Sequence, residues 1–351
     1  MGTDIPVSAH EYMRRRVVHT DPDSDHSLAF SDYNSDRSGE FSSTCPPSRT
    51  LLAACAADNS SDDALQQLVV ELGSLSVDEQ RRAAMEVRLL AKHKRENRLK
   101  LASAGAVKPL VALVQSPDPQ VQEYGVTALL NLSLCDENKD LIAAAGAVKP
   151  LVRALRDGST AAARENAACA LLRLGIPEEN RAPIGCAGAI EPLVNLLALG
   201  SFRGKKDAAA ALFTLCSVRE NKLRAVKAGA VKPLIEYMAD FSSGMLEKAA
   251  LVLDVLVGIR EAKAAVVEEG GIPVLVEIIE VGSHRQKEFA VGILLQLCEE
   301  SSVYRTLVAR EGAIPPLVAL SQNGTTRARQ KAETLIPFLR QPRSGFHRSD
   351  D

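Results

Sequence analysis

Apolar residues along this chain are spaced for helices rather than strands. In "QVQEYGVTALLNLSL" they fall at Val121, Val126, Leu129, Leu130 and Leu132, without the period-two alternation of a half-buried strand. A second apolar stretch, "GAVKPLVALV", lies just upstream, and the polar run "QSPDP" at 115–119 separates the two. The pattern predicts a short first helix, a second helix opened by proline, and a longer third helix.

The same pattern then recurs. "NRLKLASAGAVKPLVALV" from Asn97 is followed by "NKDLIAAAGAVKPLVRAL" from Asn138, "NRAPIGCAGAIEPLVNLL" from Asn180 and "NKLRAVKAGAVKPLIEYM" from Asn221. The turn glycine falls at Gly105, Gly146, Gly188, Gly229, Gly270 and Gly312, at intervals of 41, 42, 41, 41 and 42 residues. A regular period of this size marks a helical solenoid. Glycine reaches the left-handed conformation that ends a helix and turns the chain sharply. Pro109, Pro150, Pro192, Pro233 and Pro316, with Pro273 one place earlier in its unit, sit in the first turn of the next helix, where a missing N–H costs little. "DALQQLVVEL" from Asp63 reads as a second helix without its first, an N-terminal cap.

One such unit cannot bury its own apolar face, so each repeat must serve as the wall of the next. Leucines after the turn, such as Leu151 and Leu193, are expected at those junctions. The organisation that follows is a tail at 1–61, an array at 62–340 with the partial cap and six repeats, and a short C-terminal segment at 341–351. The tail is rich in Ser, Asp and Pro, with nine acidic and five basic residues and no helical period. It and the C-terminal segment are expected to be disordered, having too little apolar surface to offset ordering entropy. Arg14, Arg15 and Arg16 read as a solvated charge run.

Composition narrows the function. Aromatics are only 4% and Trp is absent, so Ala, Leu and Val must pack the core. A net charge of −2 gives no general attraction to nucleic acid or membrane, and no apolar run is long enough for a membrane helix. The N-terminus is polar, and Pro6 stands where a myristoylation motif wants Ser or Thr. The seven cysteines lack paired spacing and read as reduced thiols of a cytosolic or nuclear protein. Cys135, Cys169, Cys216 and Cys298 fall in apolar helical stretches and are expected to be buried.

The three-helix grammar, the "GAVKPLVALV" turn and the "ALLNLSL" end of the third helix resemble the armadillo repeat. "QEYGVTALLNLSLCDENKDLIAAAGAVKPLV" (122–152) and "RRAAMEVRLLAKHKRENR" (81–98) are similar to the armadillo region of plant U-box ubiquitin ligases. The resemblance implies an all-α fold, a right-handed superhelical solenoid of armadillo repeats whose third helices line a concave binding face. The tail carries no U-box pattern, which predicts no ligase activity of the chain's own. Armadillo import receptors hold basic peptides with an Asn and Trp ladder. The aligned positions here are Asn131, Arg173, Thr214, Val255, Gln296 and Phe338, so that mode is not expected.

Positions on one face of each third helix give the candidate partner-binding residues. They are Tyr124, Thr127 and Asn131, then Asn166 and Arg173, then Arg203, Asp207 and Thr214, then Lys248. In the last two repeats they are Arg285, Phe289 and Gln296, then Arg327, Lys331 and Phe338, with Lys287 and Arg329 beside them. The cations of the later repeats suit an acidic or phosphorylated protein segment. No catalytic, cofactor or metal site emerges. "GSFRGKK" at 200–206 offers Lys206 where a phosphate loop needs Ser or Thr. His93 and His284 have no ligands at metal spacing, and the basic residues are not interleaved with aromatics as nucleic-acid binding would ask. The expectation is a monomeric, non-enzymatic adaptor. The alternative is a substrate-recognition component acting with a partner's U-box.

Overall fold

The computed structural model describes residues 62–340. The readings made for 1–61 and 341–351, including Arg14–Arg16, Cys45 and Cys55, lie outside the described residues. The described residues form 20 helices and no strand. A partial cap supplies α1 (Asp62–Leu72) and α2 (Val77–His93). Six three-helix repeats follow. The first is α3 (Arg95–Ser103), α4 (Val107–Leu113) and α5 (Pro119–Leu132); the second is α6 (Asp136–Ala144), α7 (Val148–Asp157) and α8 (Ala161–Leu174). The third is α9 (Glu178–Cys186), α10 (Ile190–Leu199) and α11 (Phe202–Leu215); the fourth is α12 (Arg219–Lys227), α13 (Val231–Ala239) and α14 (Leu246–Leu256). The fifth is α15 (Arg260–Glu268), α16 (Gly271–Val281) and α17 (His284–Glu299); the sixth is α18 (Ser302–Arg310), α19 (Ile314–Asn323) and α20 (Thr326–Arg340).

The turn glycine behaves as its place in the sequence requires. Gly146 has φ +81°, its N–H donates to the Ala143 carbonyl, and the next N–H, of Ala147, reaches back to the Ile142 carbonyl. This pair of bonds satisfies the last carbonyls of α6. The same pair closes the turns at Gly105, Gly188, Gly229 and Gly312. The proline opens the next helix inside its first turn, and Leu151 and Leu193 are fully buried.

Two polar devices hold the repeats in register. Asn138 Nδ2 donates to the Leu132 carbonyl at the end of α5 and to the Arg98 carbonyl of the preceding repeat. Asn221 does the same for the carbonyls of Leu215 and Arg181. Arginine completes the end of the third helix elsewhere: Arg98 donates to the carbonyls of Ala91 and Lys92, and Arg305 to those of Cys298 and Glu299.

The second device lies at the start of the third helix. Thr160 caps α8 and donates its hydroxyl to Glu123 of the repeat before, at 2.8 Å. Ser201 and Glu165, then Thr325 and Glu288, repeat the arrangement. At the first junction the polarity is reversed: Asp118 caps α5 and pairs with Arg81 at 2.9 Å. The Val121 N–H and Arg81 hold the Asp118 carboxyl below the usual carboxylate range. The ladder is broken after the third repeat. There Lys206 occupies the place of Glu165, and Met245 stands at the N-cap of α14 and offers no side-chain cap.

Cys135, Cys169, Cys216 and Cys298 are buried, as the apolar pattern requires, and Cys186 is exposed. Burial pushes the thiols of Cys216 and Cys298 up to about 12. Thiolate is the reactive form, so Cys186 is expected to react with iodoacetamide in the folded chain while those two stay unlabelled until denaturation. Peptide mapping by mass spectrometry checks this, and rapid labelling of Cys216 or Cys298 in the native protein would contradict it.

Candidate partner-binding surface

Consecutive third helices pack side by side from α2 to α20. The candidate residues are brought onto this succession of helices, but most are occupied with one another. Asn131 is buried and donates to the Arg88 carbonyl of α2 at 3.0 Å. Arg88 lies over the Tyr124 ring, 5.2 Å from its centre, and burial lowers its pKa. Thr127 accepts a hydrogen bond from Asn166, and Asn166 accepts one from Arg203, both at 2.8 Å. Arg203 also pairs with buried Asp207 at 3.7 Å. Three repeats are thus linked through one polar row.

Asn131, Asn166 and Asp207 therefore face the neighbouring repeat more than the solvent. A helix position that points toward the open face in isolation is covered once the next third helix packs against it. Arg173 is half-buried at the end of α8, and Lys248 is half-buried in the first turn of α14. In the other repeats the residue equivalent to Lys248 stands in the second turn. The difference arises because a six-residue connection at 240–245 delays the start of α14.

The later repeats are more open. Arg285 is half-buried, pairs with Glu247 at 3.4 Å and lies 5.9 Å from the centre of the Phe289 ring. Gln296 donates to Asp254 at 2.7 Å. Lys331 reaches the Glu288 carbonyl at 3.4 Å and passes over Gly292, where a Cβ would lie only 2.8 Å from its ammonium nitrogen. The Phe338 ring carries Arg305 at 4.6 Å. Arg327 and Arg329 are exposed.

Lys287 does not belong to this row. Its ammonium donates to the Glu280 carbonyl at 2.9 Å, on the corner between α16 and α17. It stands two places from Arg285, about 200° around the helix at 3.6 residues per turn, and so leaves by another side. Arg329 is offset from Arg327 in the same way.

Partners missed by the sequence reading are Arg88, Glu247, Asp254 and Arg305. The first three lie one repeat away from the residue they engage, and Arg305 lies two helices away within its own repeat. Subtracting one period from Asn131 or Gln296 arrives beside Arg88 or Asp254, and this was the signal available. His93 and His284 are exposed, and no cluster of His, Cys, Asp or Glu among the described residues is arranged to hold a metal.

Residues 94–134 and 135–174 match the armadillo/beta-catenin-like repeat, and residues 190–344 match the plant U-box protein ARM repeat region. The chain is an armadillo-repeat protein. Over 74 residues this armadillo protein is 47% identical to "U-box domain-containing protein 13" of Arabidopsis thaliana, a stretch that is 21% of this chain and 11% of that one. It is 43% identical over 96 residues to "U-box domain-containing protein 1" of Medicago truncatula, covering 27% and 14% of the two chains. With "E3 ubiquitin-protein ligase SPL11" of Oryza sativa subsp. japonica it shares 42% identity over 91 residues, 26% and 13% of the two. The matched segments are thus a small part of these relatives' length.

Among solved structures it is similar to an engineered protein, with TM-score 0.69 and 27% identity over 80% of this chain and 68% of that one. It also shares its fold with a designed armadillo repeat protein solved in complex with peptide (KR)4, with TM-score 0.50 and 23% identity over 78% and 99% of the two chains. The armadillo fold and these relatives support a protein-interaction scaffold.

Proposed function

We propose that the protein is a non-enzymatic adaptor of plant signalling or ubiquitin-pathway regulation, working in the cytosol or nucleus. Its third-helix face receives an acidic or phosphorylated segment of a partner. The observation that carries this reading is the charge of the open end of that face. Arg285, Arg327 and Lys331 stand on two successive third helices, while the candidate acid of the earlier repeats, Asp207, is buried. The designed armadillo protein was solved with a basic peptide; the late repeats here present cations, the charge that suits an acidic one.

Each exposed pair contributes only about 0.2–1 kcal/mol, so several must act together. The test is proximity labelling in plant cells, followed by binding of the recovered partners to the full chain and to the triple variant R285E/R327E/K331E. Affinity is expected to fall about tenfold or more in the variant, and wild-type binding to weaken as salt screens the exposed charges. Equal binding by both chains, insensitive to salt, would overturn the acidic-partner reading.

A second reading is favoured by where the relatives match. U-box ligases align with this chain through their armadillo regions. The chain would then present a substrate to a ligase whose U-box is on another polypeptide. Ubiquitin-chain assembly with conjugating enzymes separates the two: the adaptor reading expects none from the purified chain alone, and the ligase-component reading expects assembly only when a U-box partner is added.

A further inference from the structure

The corner between the third and fourth repeats departs from the rest of the array in three ways. The connection from α13 to α14, residues 240–245, is the longest between a second and a third helix among the described residues. At this junction Lys206 replaces the carboxylate of the register ladder, whereas at the next the acid is kept, Glu247, and pairs with Arg285. Bulky apolar side chains are also presented outward. Leu199 is 87% exposed at the end of α10, Phe202 is 52% exposed at the start of α11, and Phe241 is 39% exposed in the long connection.

These features are physically joined. Gly244 takes a left-handed φ of +64°, and a Cβ there would lie 3.5 Å from the Phe202 ring, so the connection folds directly against that ring. Asp240 holds the turn by accepting from the backbone and hydroxyl of Ser242. The ammonium of Lys206 lies 4.1 Å from the centre of the Phe202 ring, and Lys205 lies 5.2 Å from that of Tyr237. On the other side of Leu199 a furrow of about 400 Å³ runs toward the second repeat, past Leu155, Leu196, Arg156 and Arg164.

The charge is as unusual as the exposed rings. The first turns of α11 carry Arg203, Lys205 and Lys206 and no acid in the first turn. A helix N-terminus favours anions, so cations there work against the helix itself. Local sequence that opposes its own element marks a place where another requirement has been met. The acids at this corner, Asp240 and, in the furrow, Glu165, are outnumbered by Arg156, Arg164, Lys205 and Lys206, and apolar surface with an excess of one sign of charge fits a partner of the other sign.

We propose that this corner is a second docking surface, separate from the third-helix face, for an acidic protein segment carrying a bulky apolar residue. The apolar residue covers Phe202, Leu199 and Phe241, and its acidic neighbours meet Lys205 and Lys206.

The probe is a displayed library of random dodecapeptides, selected on the full chain. Peptides rich in Asp and Glu with at least one large apolar residue are expected to be enriched. Their affinity is expected to fall about tenfold or more, some 1.4 kcal/mol per tenfold, in F202A/K206E and in L199S. Leu199 and Phe202 are exposed and Lys206 is half-buried, and circular dichroism with a melting curve confirms that the variants fold. The triple variant of the third-helix face is expected to bind the same peptides as the wild type. No enrichment, enrichment without acidic bias, or equal binding by F202A/K206E and L199S would overturn the proposal. So would loss of binding only in the triple variant. Binding to vesicles containing phosphatidylserine, without enrichment of peptides, would overturn it in favour of a membrane surface.

Discussion

Replacing Leu193 by Ala is expected to lower the stability of the array by about 2–5 kcal/mol, the usual cost of emptying a well-packed leucine site. Leu193 is fully buried in α10. That helix packs on α7 of the repeat before and on α12 of the repeat after, as well as on α11 of its own. A cavity there weakens two junctions at once. Stability in a repeat protein is close to a sum of unit and nearest-neighbour terms, so the loss should be local. Urea denaturation is expected to show an earlier or broader transition. Hydrogen exchange should accelerate in the second to fourth repeats and change little in the sixth. A loss below about 1 kcal/mol, or uniform acceleration along the array, would contradict this account of stability.

Asn221→Ala is expected to cost about 2–4 kcal/mol, since a buried acceptor left without its donor costs about 1–3 kcal/mol. The Asn221 amide is fully buried and serves the Leu215 and Arg181 carbonyls, both at 2.9 Å. Its oxygen accepts from Arg224 at 2.8 Å. Space for this amide is supplied by Gly185, where a Cβ would lie 1.8 Å from the Asn221 oxygen. Gly185→Ala should therefore act largely by displacing Asn221. The double-mutant cycle checks it: G185A/N221A is expected to be less destabilised than the sum of the single changes. Strict additivity would show that the glycine and the amide act independently. The fifth repeat has Ala262 where the fourth has Asn221, so the amide belongs to particular junctions rather than to every one.

The helical solenoid was legible because its determinants are local. A turn glycine such as Gly146, a proline such as Pro150 and the apolar spacing around Leu151 each act within a few residues, and their repetition exposes the period. The buried thiols were legible for the same reason, since Cys135, Cys169, Cys216 and Cys298 lie within apolar helical stretches. The corner at the third and fourth repeats was not. From Gly229 to Gly270 the interval is the ordinary 41 residues. A longer connection before α14 is offset by a shorter third helix, 11 residues against 14 in α11, so spacing alone conceals it.

The sequence by itself determined the helices, their turns, the period and therefore the stacked armadillo architecture. Only the tertiary structure decided which side chains remain open on the surface. Asn131, Asn166 and Asp207 were placed correctly on their helices, yet their polar atoms or their accessible area are taken up by Arg88, Thr127, Arg203 and the packed neighbour. Lys287 left the row by the angular offset of its helix position. Helix periodicity fixes where a side chain points relative to its own axis. Whether it meets solvent or the next repeat depends on how two helices some forty residues apart pack together, and on the hydrogen bonds formed between them.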